Sequence, residues 1–250
     1  MNRKYRLHID GVTDTGLVRT HNEDSLDWDD ELGVALIADG MGGHNAGEVA
    51  SRLAIETMMG ALHKSSDAID EPRLQALVAE ANRVIYEQAR DHPDCDRMGT
   101  TLVMLSLDLD RLLIAHVGDS RAYRLRDGEL LRLTEDHSLV RQMLDDGAIS
   151  KDEARTSRYR NVITRALGVR DDCDPEIAEF VVAADDIYLL CSDGLTDMVA
   201  DHEIRNILVS QCGRSGTAVT ALMERARRAG GKDNISVIVA SVVANGDMTI

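Results

Sequence analysis

The sequence predicts an α+β fold in which antiparallel β-sheets are covered by pairs of helices. Two observations predict this arrangement. Two connections between apolar runs are very short, Asp108-Leu109-Asp110 and Arg126-Asp127-Gly128, and such connections make hairpins whose strands pair antiparallel. Amphipathic segments also come in consecutive pairs instead of alternating with strands, which disfavours a doubly wound parallel sheet.

The first helix pair is predicted in the first third of the chain. Apolar residues recur at three-four spacing from Ala46 to Ala61 and again from Leu74 to Ile85. This spacing places them on one face of a helix. Pro72 suits the first turn of the second helix, because a backbone N–H has no helical partner there.

The second helix pair is predicted late in the chain, around Ile204–Leu208 and Val219–Ala226. Asp201 and Ser215 precede these apolar stretches. Short oxygen-bearing side chains satisfy the free N–H groups at the start of a helix, so we predict both residues as N-caps.

The strands are predicted from short apolar runs bounded by turn residues. Some of these runs show no alternation with polar residues, which is typical of strands buried on both faces. The predicted strands are Val34–Ala38, Leu102–Leu107, Leu112–Val117, Ala122–Leu125, Leu130–Leu133, Ile187–Cys191 and Ile235–Val243.

The flap segment, residues 135–170, differs from the rest of the chain. It is polar, with one short helical stretch near Leu139–Leu144. Long, weakly structured segments inside compact domains are often lids or binding loops. An ordinary solvated loop is the alternative, and the composition alone does not decide between them. Its arginines are Arg155, Arg158, Arg160, Arg165 and Arg170.

Length and composition favour a single cytoplasmic domain over residues 1–250. The chain has three scattered prolines and no Gly/Ser-rich linker. The basic residues near the N-terminus are not followed by an apolar run, as a secretory signal would require. The four cysteines lie far apart, which suggests neither a disulfide framework nor a zinc site. A net charge of −16 argues against nucleic-acid and membrane partners, because phosphate groups repel such a surface.

Acidic residues at the ends of apolar strands are the sharpest functional signal. One apolar run leads into Asp39-Gly40 and another leads into Asp193-Gly194. We expect each aspartate to be held rigidly at the edge of the core. We expect each glycine to let the backbone turn sharply and approach a ligand closely. Taken singly, an Asp-Gly pair is more often an ordinary turn.

Further acidic residues fit the same plan. Asp119 follows the run that ends at Gly118, Asp233-Asn234 opens the last strand, and Glu23-Asp24 follows a turn-like stretch. If these strand ends meet at one edge, the carboxylates cannot all stay ionised without a counter-charge. Oxygen ligands without thiolates or clustered imidazoles select Mg²⁺ or Mn²⁺.

With these residues in view, the sequence resembles the PPM family, the type-2C metal-dependent protein Ser/Thr phosphatases, in its bacterial form. Each matching block is weak alone, but six in the family's order are specific, and they span nearly the whole chain. The blocks are Gly16-Leu17-Val18-Arg19-Thr20-His21-Asn22-Glu23-Asp24, Asp39-Gly40-Met41-Gly42-Gly43-His44, Gly99-Thr100-Thr101, Gly118-Asp119-Ser120-Arg121, Ser192-Asp193-Gly194-Leu195 and Lys232-Asp233-Asn234.

The resemblance implies a four-layer α-β-β-α sandwich of two antiparallel sheets flanked by helix pairs. It also implies the metal ligands. Asp39 would bridge two cations, the carbonyl of Gly40 would hold one of them, and Asp193 and Asp233 would complete the first.

Further roles follow from the same resemblance. Glu23 would hold the second cation, with Asp24 and Asn234 in support. Asp119 would join Asp193 in binding a third, weaker cation. Arg19 would grip the substrate phosphate beside the flap segment.

The implied reaction is hydrolysis of phosphoserine or phosphothreonine in proteins. A hydroxide bridging two Mn²⁺ or Mg²⁺ ions would attack phosphorus in line, without a covalent phosphoenzyme. Many eukaryotic members carry a histidine after the Asp-Gly pair as the proposed general acid. Met41 stands at that position here, which leaves His44 or a metal-bound water as the candidates.

Two other functional classes fit the sequence less well. A cysteine phosphatase needs an arginine six positions after its cysteine, and none of the four cysteines has one. A phosphoprotein-binding module on the same fold would have lost metal-binding aspartates, whereas Asp39, Asp193 and Asp233 are all present. Resemblance also suggests phosphorylated proteins as substrates and a bacterial Ser/Thr protein kinase as partner.

Overall fold

Two antiparallel sheets form the centre of the computed structural model, which describes residues 4–43, 46–65, 67–95, 97–150, 153–154, 157–159, 161–211 and 213–245. The strands are β1 Tyr5–Asp14, β2 Asp24–Asp29, β3 Val34–Met41, β4 Gly99–Thr100, β5 Leu102–Asp108, β6 Arg111–Val117, β7 Arg121–Arg126, β8 Glu129–Arg132, β9 Glu176–Val181, β10 Ile187–Cys191 and β11 Ile235–Ala244. One sheet has the order β1-β11-β10-β7-β8. The other has the order β2-β3-β5-β6-β9, with β4 paired to β3.

Helix pairs cover the outer faces of the two sheets. The helices are α1 Ala46–Lys64, α2 Glu71–Asp91, α3 Leu139–Asp145, α4 Asp193–Thr196, α5 Asp201–Ser210 and α6 Ser215–Arg228, and a 3₁₀ turn spans Pro93–Cys95. Helices α1 and α2 pack on β3 and β5, and α5 and α6 pack on β10 and β11. The expected four-layer α-β-β-α sandwich is confirmed.

Strand β3 shows why the core has three layers of side chains. Val34 and Leu36 face the α1–α2 layer, whereas Ala35 and Ile37 face the other sheet. None of these four side chains has measurable exposure. The prediction that this apolar run is buried on both faces is therefore confirmed.

The second helix and the two hairpins also agree with the sequence. Asp70 caps α2, its carboxylate accepting a hydrogen bond from the Arg73 N–H, and Pro72 lies in the first turn. The hairpin turns contain Leu109 and Asp127 at positive φ. Both predicted strand pairs, β5–β6 and β7–β8, are antiparallel.

Four strands were not predicted. β1 pairs with β11 along its whole length and buries Tyr5, Leu7 and Ile9 while the residues between them face outward. This alternation is a strand signal that a search for continuous apolar runs misses. β2 and β9 are strands at the edge of their sheet and mix acidic with apolar residues, and β4 has only two residues.

The predicted N-caps of the late helices were wrong by one residue. Asp201 and Ser215 are the first helical residues, and Ala200 and Arg214 occupy the cap positions. The reason is that both side chains have tertiary partners. Asp201 accepts a hydrogen bond from the Tyr123 hydroxyl, and the Ser215 hydroxyl donates to Asp10.

The flap segment is attached to the sandwich near both of its ends. Its predicted helical stretch is confirmed as α3, which Ser138 caps. The His137 N–H donates to the Gly118 carbonyl, and Leu167 exchanges two backbone hydrogen bonds with Thr100. Arg155 and Arg160 lie outside the described residues. In the described ranges, no helix is long and apolar enough to cross a membrane.

Candidate active site

Asp39 lies opposite Asp24 in the β2–β3 pair. Its backbone is fixed from the next strand: the Asp39 N–H donates to the Thr101 hydroxyl at 3.0 Å, and its carbonyl accepts from the Thr101 N–H at 2.9 Å. The carboxylate is therefore presented by a backbone that cannot shift without breaking the sheet.

Gly40 does not turn the chain, so that expectation was wrong. β3 continues to Met41. A Cβ at Gly40 would lie 2.0 Å from the Gly47 carbonyl oxygen and 2.6 Å from that of Glu23. The glycine is required because α1 and the Glu23 backbone approach this strand closely. The close approaches that the structure shows at Gly40 are to protein atoms.

Asp193 follows β10 and is the first residue of α4, after Ser192 at the cap position. A Cβ at Gly194 would lie 1.9 Å from the Asn234 carbonyl oxygen. The turn that carries Asp193 therefore packs directly on the turn that carries Asp233. Chain segments 40 residues apart in sequence meet at one edge of the sandwich, as the strand-end pattern predicts.

Asn234 holds the loop before β2 in place. Its side-chain oxygen accepts from the Glu23 N–H at 2.8 Å, and its amide nitrogen donates to the carbonyls of Thr15 and His21. One buried side chain thus anchors both ends of the loop that presents Arg19. These three hydrogen bonds fix the position of Glu23 relative to Asp233.

Arg19 pairs with Asp233. The guanidinium Nη2 lies 2.8 Å from Asp233 Oδ2, and the arginine side chain is 50% exposed. This hydrogen bond raises the pKa of Arg19. The guanidinium therefore lies at the solvent side of the carboxylates.

Asp24 is the most deeply buried of the site carboxylates. Its Oδ2 accepts a hydrogen bond from the Ser192 hydroxyl at 2.9 Å, which links the two sheets. Among the described residues, no atom forms a hydrogen bond with its Oδ1. Burial raises the pKa of Asp24 to about 6, against the opposing effect of hydroxyl donors.

Asp119 follows Gly118, which adopts a positive φ of 103°, and its side chain is buried. Burial and then the nearby Asp136 raise the pKa of Asp119 to about 6, while Arg121 opposes them. The neighbouring Ser120 hydroxyl lies 2.7 Å from the Thr101 hydroxyl, the same group that accepts from the Asp39 backbone. Asp119 therefore belongs to the same constellation.

The acidic cluster comprises Glu23, Asp24, Asp39, Asp119, Asp193 and Asp233. Its charges act on one another. Burial raises the pKa of Asp39 well above its usual range, and repulsion from Asp24, Asp193, Asp119 and Asp233 raises it further. Burial and repulsion from Asp119 and Asp197 do the same for Asp193. A set of crowded oxygen donors lacking sufficient counter-charge is able to hold hard divalent cations.

A profile of the protein phosphatase 2C family matches residues 18–236 of this chain. The chain belongs to the protein phosphatase 2C family. A serine/threonine phosphatase, Stp of Listeria innocua, is 39% identical over 242 residues, which cover 93% of this chain and 95% of the relative. The serine/threonine protein phosphatase PstP of Mycobacterium tuberculosis is 43% identical, over 92% of this chain and 44% of that longer protein.

A solved structure of this family supports the same assignment. The catalytic domain of PstP, crystallised in complex with two manganese ions, superposes with a TM-score of 0.87 at 39% identity. The match covers 96% of this chain and 99% of that one. The fold and the family expected from the resemblance are both confirmed.

Three contributors to the site of this protein phosphatase were not identified as such from the sequence. Thr101 fixes the Asp39 backbone, and Ser192 binds Asp24. Gly47 leaves room for Glu23, because a Cβ there would lie 2.8 Å from the Glu23 carboxylate. Thr101 and Ser192 stand in the matching blocks, but only three-dimensional contacts reveal what they do.

Met41 ends β3 and pairs with Gly99 of β4. Its thioether has no proton to donate, so the residue after the Asp-Gly pair cannot act as a general acid. His44, the other side chain considered for this step, lies outside the described residues.

Proposed function

We propose that this protein phosphatase hydrolyses phosphoserine and phosphothreonine in proteins with the help of Mn²⁺ or Mg²⁺ held by the acidic cluster. Asp39 would be a ligand of two ions, and the Gly40 carbonyl would bind one of them. Asp193 and Asp233 would complete the ligands of the first ion, and Glu23 would hold the second.

Asp119 together with Asp193 would hold a third, weaker ion. Asp24 and Asn234 would keep these ligands in position. The observation that carries the proposal is the crowding of carboxylates at one sandwich edge.

The cluster fits such cations on its own physical terms. The buried Asp24 Oδ1 lacks a hydrogen-bond partner among the described residues, and mutual repulsion raises the pKa values of Asp39 and Asp193. Both features are costly in a folded protein unless a counter-charge relieves them. The donors are all oxygens, which favours Mg²⁺ and Mn²⁺ over softer metals.

Each residue has a separate task in the reaction. When bound, the cations lower the pKa of water and offset the negative charge of the phosphate. Arg19 offers a planar fork to two phosphate oxygens and stabilises the charge that develops on them. Its present partner, Asp233, keeps the guanidinium aimed at the cluster. Water attacks phosphorus directly, so no side chain needs to become phosphorylated.

The biological setting is proposed from the same features. The substrates are phosphorylated proteins, and the activity opposes a bacterial Ser/Thr protein kinase. The net charge of −16 disfavours nucleic acid and anionic membranes as partners. We infer a single cytoplasmic domain over residues 1–250, with the flap segment beside the site.

Metal removal tests the proposal. We expect a chelator to abolish turnover of a phosphothreonine peptide, and Mn²⁺ or Mg²⁺ to restore it. Asp186→Asn is a matched control, because Asp186 is a buried aspartate that precedes β10, at the opposite end of that strand from Asp193. Its metal dependence should equal that of the wild type. Full turnover in metal-free buffer would contradict the proposal. An absence of turnover with any metal would favour the phosphoprotein-binding module instead.

A further inference from the structure

His137, at the start of the flap segment, holds Gly118 by two hydrogen bonds. The His137 backbone N–H donates to the Gly118 carbonyl at 2.9 Å, and the Gly118 N–H donates to His137 Nδ1 at 3.1 Å. Gly118 directly precedes Asp119. The His137 backbone therefore holds the Gly118–Asp119 peptide unit, and its side chain holds the preceding Val117–Gly118 unit.

We propose that His137 is a positioning residue that couples the flap segment to Asp119. In this arrangement the weak third cation site is complete only while the flap start is docked on Gly118. The inference deepens the proposed function and rests on it, because it takes Asp119 as a ligand of that third ion.

The flap side of the coupling begins at the same residue. The His137 carbonyl accepts from the Thr164 N–H at 2.8 Å, and neighbouring Ser138 pairs with Ile163 in a short bridge. Residues 137–139 and 162–164 thus form a small two-stranded contact at the base of the flap segment. A displacement of these flap residues would therefore act directly on His137.

The cluster side of the coupling is equally well defined. Any residue other than glycine would be strained at position 118, since φ is 103° there and a Cβ would lie 2.7 Å from Thr101 Cγ2. Beyond Asp119, the Ser120 hydroxyl contacts the Thr101 hydroxyl, which also accepts from the Asp39 backbone. The Asp119 turn is therefore held between His137 on one side and the β3–β5 pair on the other.

His116 keeps the His137 ring in place. The two rings stack with centroids 4.6 Å apart and planes 17° from parallel. His116 Nε2 lies 2.8 Å from the Glu135 carbonyl, which can only accept, so this nitrogen carries the proton. Both histidines thus bind the first residues of the flap segment to the end of β6.

A cation site is the alternative use of this pair. His116, His137 and Glu176 each offer a ligand atom within 4.8 Å of the others. The hydrogen bonds oppose it: Nδ1 of His137 accepts from Gly118, so the neutral ring carries its proton on Nε2, towards Glu176 at 3.5 Å. A protonated nitrogen has no lone pair for a metal. The geometry favours a positioning role.

Two substitutions of equal shape separate the hydrogen bond from packing. Asparagine keeps an acceptor near the Nδ1 position, whereas leucine has the same shape without it. We expect His137→Leu to weaken the third Mn²⁺ site by about tenfold, as loss of one well-placed hydrogen bond allows. His137→Asn should restore most of that affinity. Calorimetric titration with Mn²⁺ measures both, and the two tighter ions should remain.

Hydrogen exchange of the Gly118 amide provides a readout in metal-free protein. This amide should exchange faster in His137→Leu than in the wild type, and His137→Asn should protect it again. Ser138→Ala is the control, because it removes only the cap of α3 at the neighbouring residue and should leave the Gly118 amide unchanged. If His137→Leu does not fold, His137→Gln serves as the second loss variant, since its acceptor lies one bond farther out.

Three results would overturn the inference, and they are distinguishable. A His137→Leu protein that binds the third Mn²⁺ as tightly as the wild type would show that the His137–Gly118 hydrogen bonds do not position Asp119. A wild type that binds no more ions than Asp119→Ala would remove the third site itself, and with it this coupling. Zinc binding that is lost on replacing Glu176 would support the cation site instead and would also contradict the positioning role.

Discussion

The two ends of β10 carry two aspartates in opposite situations. Asp186 precedes the strand and has no exposed surface, yet its carboxylate is fully satisfied. Both oxygens accept from the Arg126 guanidinium at 2.6 Å, and the Ala183 N–H and the Tyr188 hydroxyl complete the set. Such a group is anchored by its own counter-charge.

Asp193, after the same strand, shares its surroundings mainly with other carboxylates. Burial and repulsion raise its pKa. Arg19, which is half exposed, pairs with Asp233 of the acidic cluster at this edge. The comparison suggests a way to separate structural from functional buried acids. Asp186 pairs with an arginine of the same chain, whereas Asp193 in the proposed function takes its counter-charge from a bound cation.

Asp39→Asn should have the largest effect. The substitution removes a negative charge from the centre of the acidic cluster while keeping its shape. We expect turnover of a phosphothreonine peptide to fall roughly a hundredfold or more, because charge stabilisation at the reacting centre is lost. The fold should survive, with equal or higher stability in the absence of metal. Near-normal turnover would show that Asp39 does not bridge the ions.

Asp186→Asn should lower stability and leave turnover unchanged, the opposite of Asp39→Asn. It leaves Arg126 without its buried partner, so we expect the free energy of unfolding to fall by about 2 kcal/mol. Turnover per folded molecule should stay at the wild-type level. Urea unfolding beside steady-state kinetics separates the two quantities. If Asp186→Asn also reduced kcat strongly, the distinction between the two ends of β10 would fail.

Arg19→Lys tests the arginine that pairs with Asp233 at the functional end. A lysine supplies charge without the planar fork, so this exchange is not conservative at a phosphate site. We expect KM for the phosphopeptide to rise about tenfold, which corresponds to about 1.4 kcal/mol, with Mn²⁺ affinity little changed. An unaltered KM would remove Arg19 from the phosphate site.

The pH dependence of metal-free protein should show the smallest effect. Asp24 and Asp119 have pKa values raised to about 6, so the folded chain holds these protons more tightly than the unfolded chain. Stability should therefore increase as pH falls from 8 to 5.5, by roughly 1 kcal/mol for each group. Asp24→Asn should abolish the contribution of Asp24 to this increase in stability. A free energy of unfolding that does not change between pH 8 and 5.5 would contradict the burial of the two carboxylates.

The sequence predicts the layers and the cluster better than the edges of the structure. Continuous apolar runs such as Val34–Ala38 identify the central strands, because a strand that is buried on both faces has apolar residues at successive positions. β2 and β9 lie at sheet edges and lack that signal, and β1 shows it only as alternation. Strand ends likewise predict that Asp39 and Asp193 converge, since a rigid strand fixes the residue that follows it.

Contacts that depend on two distant segments could not be predicted. The requirement for glycine at Gly40 comes from the approach of Gly47, and the position of Ser215 is set by Asp10. The clamp of His137 on Gly118 joins a loop to a strand end 19 residues earlier. Local propensity carries no information on such pairs, because the partner is chosen by the tertiary fold.

Stabilisation by Mn²⁺ tests the central claim most directly. Unfolding should be followed with and without saturating Mn²⁺ in the wild type, Asp39→Asn and Asp186→Asn. An ion that binds only the folded state adds about 2.7 kcal/mol at a concentration one hundred times its Kd. We predict equal gains for the wild type and Asp186→Asn, and little gain for Asp39→Asn. An equal gain in Asp39→Asn, or none in the wild type, would contradict the claim that the acidic cluster is completed by cations.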